Sequence, residues 1–143
     1  MGTKAKIIVF IILALLVGVF LVNTAVINLD HLGQGKLLSV VIDDQTCYTT
    51  ICDNGSHQLI ITEPKDLSSL ESAFFYKLRD VFHMTKESGN LTFTFNYEHK
   101  TVIFDAGVER GFTKGLIYYI DRISVYHFDQ NGLKTLKSLF DIQ

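Results

Sequence analysis

The sequence predicts an α+β protein: an N-terminal single transmembrane helix, then a small domain whose mainly antiparallel sheet is covered by one amphipathic helix. Three observations carry this expectation. Residues 7–22 run sixteen positions without a polar side chain. Segments that alternate apolar and polar residues, most clearly Leu91–Tyr97, recur between turn signals. One stretch after Pro64 returns large apolar residues every three or four positions.

As a helix, sixteen residues rise about 24 Å, short of a hydrocarbon core of roughly 30 Å, and adding residues 23–29 brings the length to about 34 Å. The expected anchor is therefore 7–29. A cleaved signal peptide is the rival reading, with an apolar region of only about 7–15 residues and an A-x-A-like cleavage site. The best sites here, Val22-Asn23-Thr24 and Asn23-Thr24-Ala25, fit that pattern poorly. Lys4 and Lys6 precede the run, whereas the first basic residue after it is Lys36. The positive-inside rule then places residues 1–6 in the cytoplasm and the domain outside. Residues 30–36, with two glycines, read as a short connector, and 37–143 as the extracytoplasmic domain.

All fifteen acids and eleven of the thirteen basic residues lie beyond the anchor, leaving that part at a formal charge of −4. Nucleic acid is excluded as a partner on this basis, because a phosphate-binding surface needs clustered Lys and Arg.

Leu37–Ile42 is apolar and β-branched, a first strand ending at Asp43-Asp44, which reads as a solvated bend. Thr46–Cys52 is also strand-like, and Asp53-Asn54-Gly55 is a hairpin-turn signal, with Ser56–Thr62 returning as a strand. Cys47 and Cys52 would then stand about 16 Å apart on opposite faces. They can bridge only if residues 48–51 curl into a loop. Export and a pair of cysteines favour the bridge, and two buried free thiols are the alternative.

Pro64 opens the helix and Ser68-x-x-Glu71 fits a capping box. Leu70, Phe74, Leu78, Val81 and Phe82 share one face with Phe75 at its margin, and Gly89 stops the helix. Leu91–Tyr97 and Thr101–Asp105 form the next hairpin, followed by a glycine-rich, mobile loop over 106–115. Leu116–Phe128 reads as strand, bent near Asp121-Arg122, with a helical face as the competing pattern. After the turn at 129–132, Leu133, Leu136 and Leu139 or Phe140 fit a short C-terminal helix.

No catalytic motif is present: there is no G-x-S-x-G elbow, no H-E-x-x-H and no phosphate-binding glycine loop. No cofactor and no metal site are expected. Asn54-Gly55-Ser56 and Asn90-Leu91-Thr92 are glycosylation sequons. The expected function is therefore a single-pass, membrane-anchored accessory or assembly subunit. It contacts lipid through residues 7–29 and binds a protein partner in a membrane or envelope complex, with an inhibitor or immunity protein as a variant. A membrane-tethered hydrolase acting on envelope material is the alternative. Docking determinants are expected on the loop, at Glu109, Arg110, Phe112 and Lys114, and on the polar helix face at Tyr76, Arg79 and Asp80. Phe112, an aromatic among charges, either anchors in a partner or folds back onto its own core.

Overall fold

Alternation along the strands becomes a six-stranded sheet in which every neighbouring pair is antiparallel, in the order β2-β1-β3-β4-β5-β6. The structure is a computed structural model describing residues 2–24, 32–77, 79, 89–119 and 124–140. The strands are β1 (Leu37–Asp43), β2 (Gln58–Ile61), β3 (Leu91–Tyr97), β4 (Thr101–Val108), β5 (Gly115–Tyr119) and β6 (Val125–His127). Among the described residues three α-helices accompany them: α1 (Thr3–Thr24), α2 (Pro64–Phe74) and α3 (Gln130–Phe140). The α+β class with an antiparallel sheet is thus correct. Two helices rather than one pack against the sheet, because Leu133, Leu136 and Phe140 give α3 a buried face beside α2. Gly132 permits that closeness: a Cβ there would lie 3.3 Å from the Ala73 carbonyl oxygen on α2.

Among the described residues no helix is long and apolar enough to cross a membrane. α1 has 22 residues, but Lys4, Lys6 and Asn23 confine its apolar run to residues 7–22. The expected span of 7–29 needs residues 25–29, which lie outside the described residues. Among the described residues α1 contributes nothing to the hydrophobic core, and Ile7–Leu13 are each more than half exposed.

The core lies between the sheet and the pair α2–α3. Leu91, Phe93, Phe95 and Tyr97 of β3 face it, as do Val102, Phe104, Ala106 and Val108 of β4. Phe74 sits at the centre, its ring 4.6 Å from Phe93, 5.1 Å from Phe95 and 5.0 Å from Phe128. The helix α2 stops there rather than continuing towards Gly89. Phe75 is extended, with φ −100° and ψ 165°, and is fully buried against Phe95 and Phe104. Consecutive helical residues point about 100° apart, so breaking the helix is what lets both rings enter one core. Leu78, Val81, Phe82 and His83, which the longer helix would have included, lie outside the described residues.

A polar clasp joins α2 to β3. The Tyr97 hydroxyl donates to Glu71 Oε1 at 2.8 Å, and burial together with that carboxylate raises the hydroxyl's pKa well above its usual value. The connector is pinned at its domain end. Lys36 N donates to Glu98 Oε2 at 2.9 Å, and the Glu98 and His99 amides donate back to Lys36 and Gln34 carbonyls. On the other face of the sheet Val41, Thr94 and Ile103 lie side by side, with Ile60 of the edge strand β2 62% exposed.

Candidate functional site

Among the described residues two places gather polar chemistry, and both are connections between adjacent strands. The first joins β4 to β5. Pairing continues to Val108↔Gly115, so the glycine-rich segment is a strand end and a closed turn rather than a long loop. Within the turn, Glu109 N donates to the Lys114 carbonyl at 2.9 Å and Phe112 N to the Glu109 carbonyl at 3.0 Å. Gly111 and Phe112 take φ of 77° and 55°. These signs reverse the chain and turn the Phe112 ring back, where it stacks on Phe140 at 5.4 Å with planes 17° apart. Phe112 is therefore packed against the core, not presented outward.

The same turn forms a wall of a cleft of about 570 Å³. Glu109, Thr113 and Lys114 line it from the turn, His127 and Phe128 from the end of β6, and Gln130 and Leu133 from the start of α3. Leu116 and Tyr118 of β5 add apolar surface. Asn90 completes it in a way the sequon reading misses. Its amide nitrogen donates to the Val108 carbonyl and its amide oxygen accepts from Val108 N, both at 2.9 Å, so the side chain extends the β3–β4 ladder. Beside the cleft, Asp129 starts α3 by accepting from Gly132 N at 2.7 Å and pairs with Lys77. Burial opposes its ionisation, yet the Lys77 ammonium and the α3 amides hold its carboxyl below the usual carboxylate range.

Of the expected docking residues, the structure brings Glu109 and Lys114 together in this cleft. Arg110 is exposed on the turn but does not line it. Tyr76, 57% exposed with φ 60°, follows the end of α2, and Arg79 makes an isolated β-bridge with Tyr126. Neither lines the cleft, and Asp80 lies outside the described residues. Sequence reasoning missed Asn90 and His127, for which it offered only a sequon and an ambiguous strand.

The second place is the connection from β1 to β2. Thr46–Cys52 is not a strand: residues 44–49 form a loop and Thr50–Asn54 a 3₁₀ turn, capped by Gly55 at φ 73°. The cause is Asp44, which is 0% exposed rather than part of a solvated bend. Its Oδ1 accepts from Tyr48 N at 2.8 Å, and its Oδ2 from Thr49 N and Thr49 Oγ1 at 2.6 and 2.8 Å. A buried carboxylate needs such donors, and the nearest are the amides of a chain curled around it. Thr50 Oγ1 donates to the Phe140 carbonyl at 2.7 Å, and Ile51 plugs the core at 2% exposure.

That curl brings Cys47 and Cys52 to disulfide distance, with Cα atoms 5.3 Å apart. It also brings in a residue that the sequence did not associate with them. His57 Nδ1 lies 3.6 Å from Cys47 Sγ, 3.4 Å from Cys52 Sγ and 3.2 Å from the Asp44 carbonyl oxygen. Two sulfurs and an imidazole nitrogen so gathered are a soft donor set.

No family model, curated protein or solved structure matches the chain.

Proposed function

We propose that this protein is a membrane-tethered binding module. α1, completed by the residues that follow it, holds the chain in a bilayer with its N-terminus cytoplasmic. The domain outside docks a protein partner of a membrane or envelope assembly, either as an accessory subunit or as an inhibitor. The observation that carries the reading is α1 itself. Apolar side chains surround it on every side, those described between Ile7 and Val19 are exposed, and none of these belongs to the domain's core. A helix apolar all round needs an apolar surround, and a bilayer supplies one. Lysines on one flank only set the orientation.

The docking surface is the β4–β5 turn and its cleft. Glu109, Arg110 and Lys114 offer both signs of charge around apolar surface from Leu116, Phe128 and Leu133. An apolar centre with a charged rim is the usual anatomy of a protein-binding patch. Residues 34–36, hydrogen-bonded to the β3–β4 turn, keep the domain close to the tether.

The test is purification of the full chain in mild detergent at native expression, with identification of what co-purifies. The charge-reversed Glu109→Lys/Lys114→Glu variant should lose that partner while keeping the wild-type melting temperature. A variant that keeps the partner removes the cleft from the account. A soluble product beginning near residue 25 removes the tether.

A tethered hydrolase remains the second reading, favoured by one observation: Glu109 and His127 line the same cleft. His127→Gln separates the two. It should abolish turnover of envelope material by an enzyme and leave partner capture by a docking module intact.

A further inference from the structure

We propose that the β1–β2 connection is a zinc site in its dithiol form. Cys47 Sγ, Cys52 Sγ and His57 Nδ1 supply three ligands, and the Asp44 main-chain oxygen stands at the fourth corner. Zinc binds sulfur at about 2.3 Å, imidazole nitrogen at about 2.0–2.1 Å and oxygen at about 2.0–2.2 Å. A tetrahedron with those arms has sulfur–nitrogen and sulfur–oxygen edges of about 3.5–3.6 Å and a nitrogen–oxygen edge of about 3.4 Å. The structure has sulfur–nitrogen separations of 3.6 and 3.4 Å, a sulfur–oxygen separation of 3.4 Å and a nitrogen–oxygen separation of 3.2 Å. The three side-chain donor atoms all lie within 4.8 Å of one another. Four of the six edges of a zinc tetrahedron are thus matched with the bridge closed, and the sulfur–sulfur edge is the one that must lengthen.

The donor set also outlasts the bridge. Asp44 holds the loop through Tyr48 and Thr49, Thr50 ties it to α3, and Ile51 is buried in the core. Asp44 N donates to the His57 carbonyl at 2.8 Å, fixing the two ends of the connection together. None of these contacts uses the sulfurs. With Cα atoms 5.3 Å apart, rotation about the Cα–Cβ bonds suffices to open the sulfurs to the roughly 3.8 Å of a tetrahedral edge.

Bridge and metal are therefore two states of the same atoms. An external dithiol attacks the disulfide and becomes a disulfide itself, delivering two electrons and two protons and leaving two thiols. The cation then displaces both thiol protons to solvent and takes the neutral imidazole through Nδ1, with the ring proton on Nε2.

The experiment uses the full chain in detergent, reduced with dithiothreitol, desalted under argon and titrated with Co²⁺, followed by Zn²⁺. Expected are one Co²⁺ per chain, a thiolate-to-cobalt charge-transfer band with intense tetrahedral visible bands, and their loss when one equivalent of Zn²⁺ is added. The oxidised chain should show neither band. His57→Ala, at an exposed position, should weaken binding at least about tenfold with an unchanged far-UV spectrum. Cobalt bound without the thiolate band, or equal affinity in His57→Ala, overturns the proposal. So does loss of the folded far-UV signal on reduction, because the loop is required to survive without its bridge.

Discussion

The β1–β2 and β4–β5 connections do the same topological work, each returning the chain into the neighbouring antiparallel strand, by opposite physical means. The β4–β5 turn is short and is closed by two backbone hydrogen bonds, positive φ at Gly111 and Phe112, and a ring laid on Phe140. The longer β1–β2 connection is organised from inside, by a wholly buried carboxylate. One is shaped by backbone conformation and apolar packing, the other by satisfying a buried charge. A loop wrapped around an internal acceptor is rigid without being regular. That rigidity is what places two sulfurs and an imidazole together, whereas the turn leaves Glu109 and Lys114 at the mouth of an open cleft.

The largest expected effect breaks the first of these. Asp44→Ala leaves the Tyr48 and Thr49 amides and the Thr49 hydroxyl without their acceptor, and should cost about 3 kcal/mol or more in denaturant unfolding. A cost near zero would mean that the cysteine bridge, not the carboxylate, shapes the connection.

Phe112→Ala comes next. The ring is only half-buried, so the loss should be about 1–2 kcal/mol, below the 3–5 kcal/mol typical of a phenylalanine deleted from a core. Because Ala tolerates φ 55° no better than Phe, the change reads the ring contact alone. Unchanged melting with loss of a partner would return Phe112 to the role of an external anchor.

The smallest effect sharpens the comparison. Gly55 and Gly111 have φ of 73° and 77°, and a Cβ at either would meet nothing within 4 Å. Alanine should therefore cost about 1 kcal/mol at each through backbone strain only. A clearly smaller cost at Gly111 would show that the turn relaxes where the Asp44 loop does not.

What could be read from residues in order was whatever depends on near neighbours. Alternation in Leu91–Tyr97 determined both the strand and the face it buries, since successive strand residues point to opposite sides. The terminal leucines at helical spacing determined α3, and residues 7–22 determined a helix that no water-facing pattern explains. Tertiary structure decided the rest. The residues after Pro64 are compatible with a longer helix until Phe75 is offered a place beside Phe95 and Phe104. Thr46–Cys52 has the composition of a strand, but Asp44 enters the interior and its lone pairs take the amides that a strand would have used. His57 reaches the cysteines only because that curl closes, and Thr50 secures it to Phe140 across ninety positions. A sequence displays preferences that act over a few residues. Which buried group must be satisfied, and by whom, is settled only when distant segments meet and water is excluded from between them.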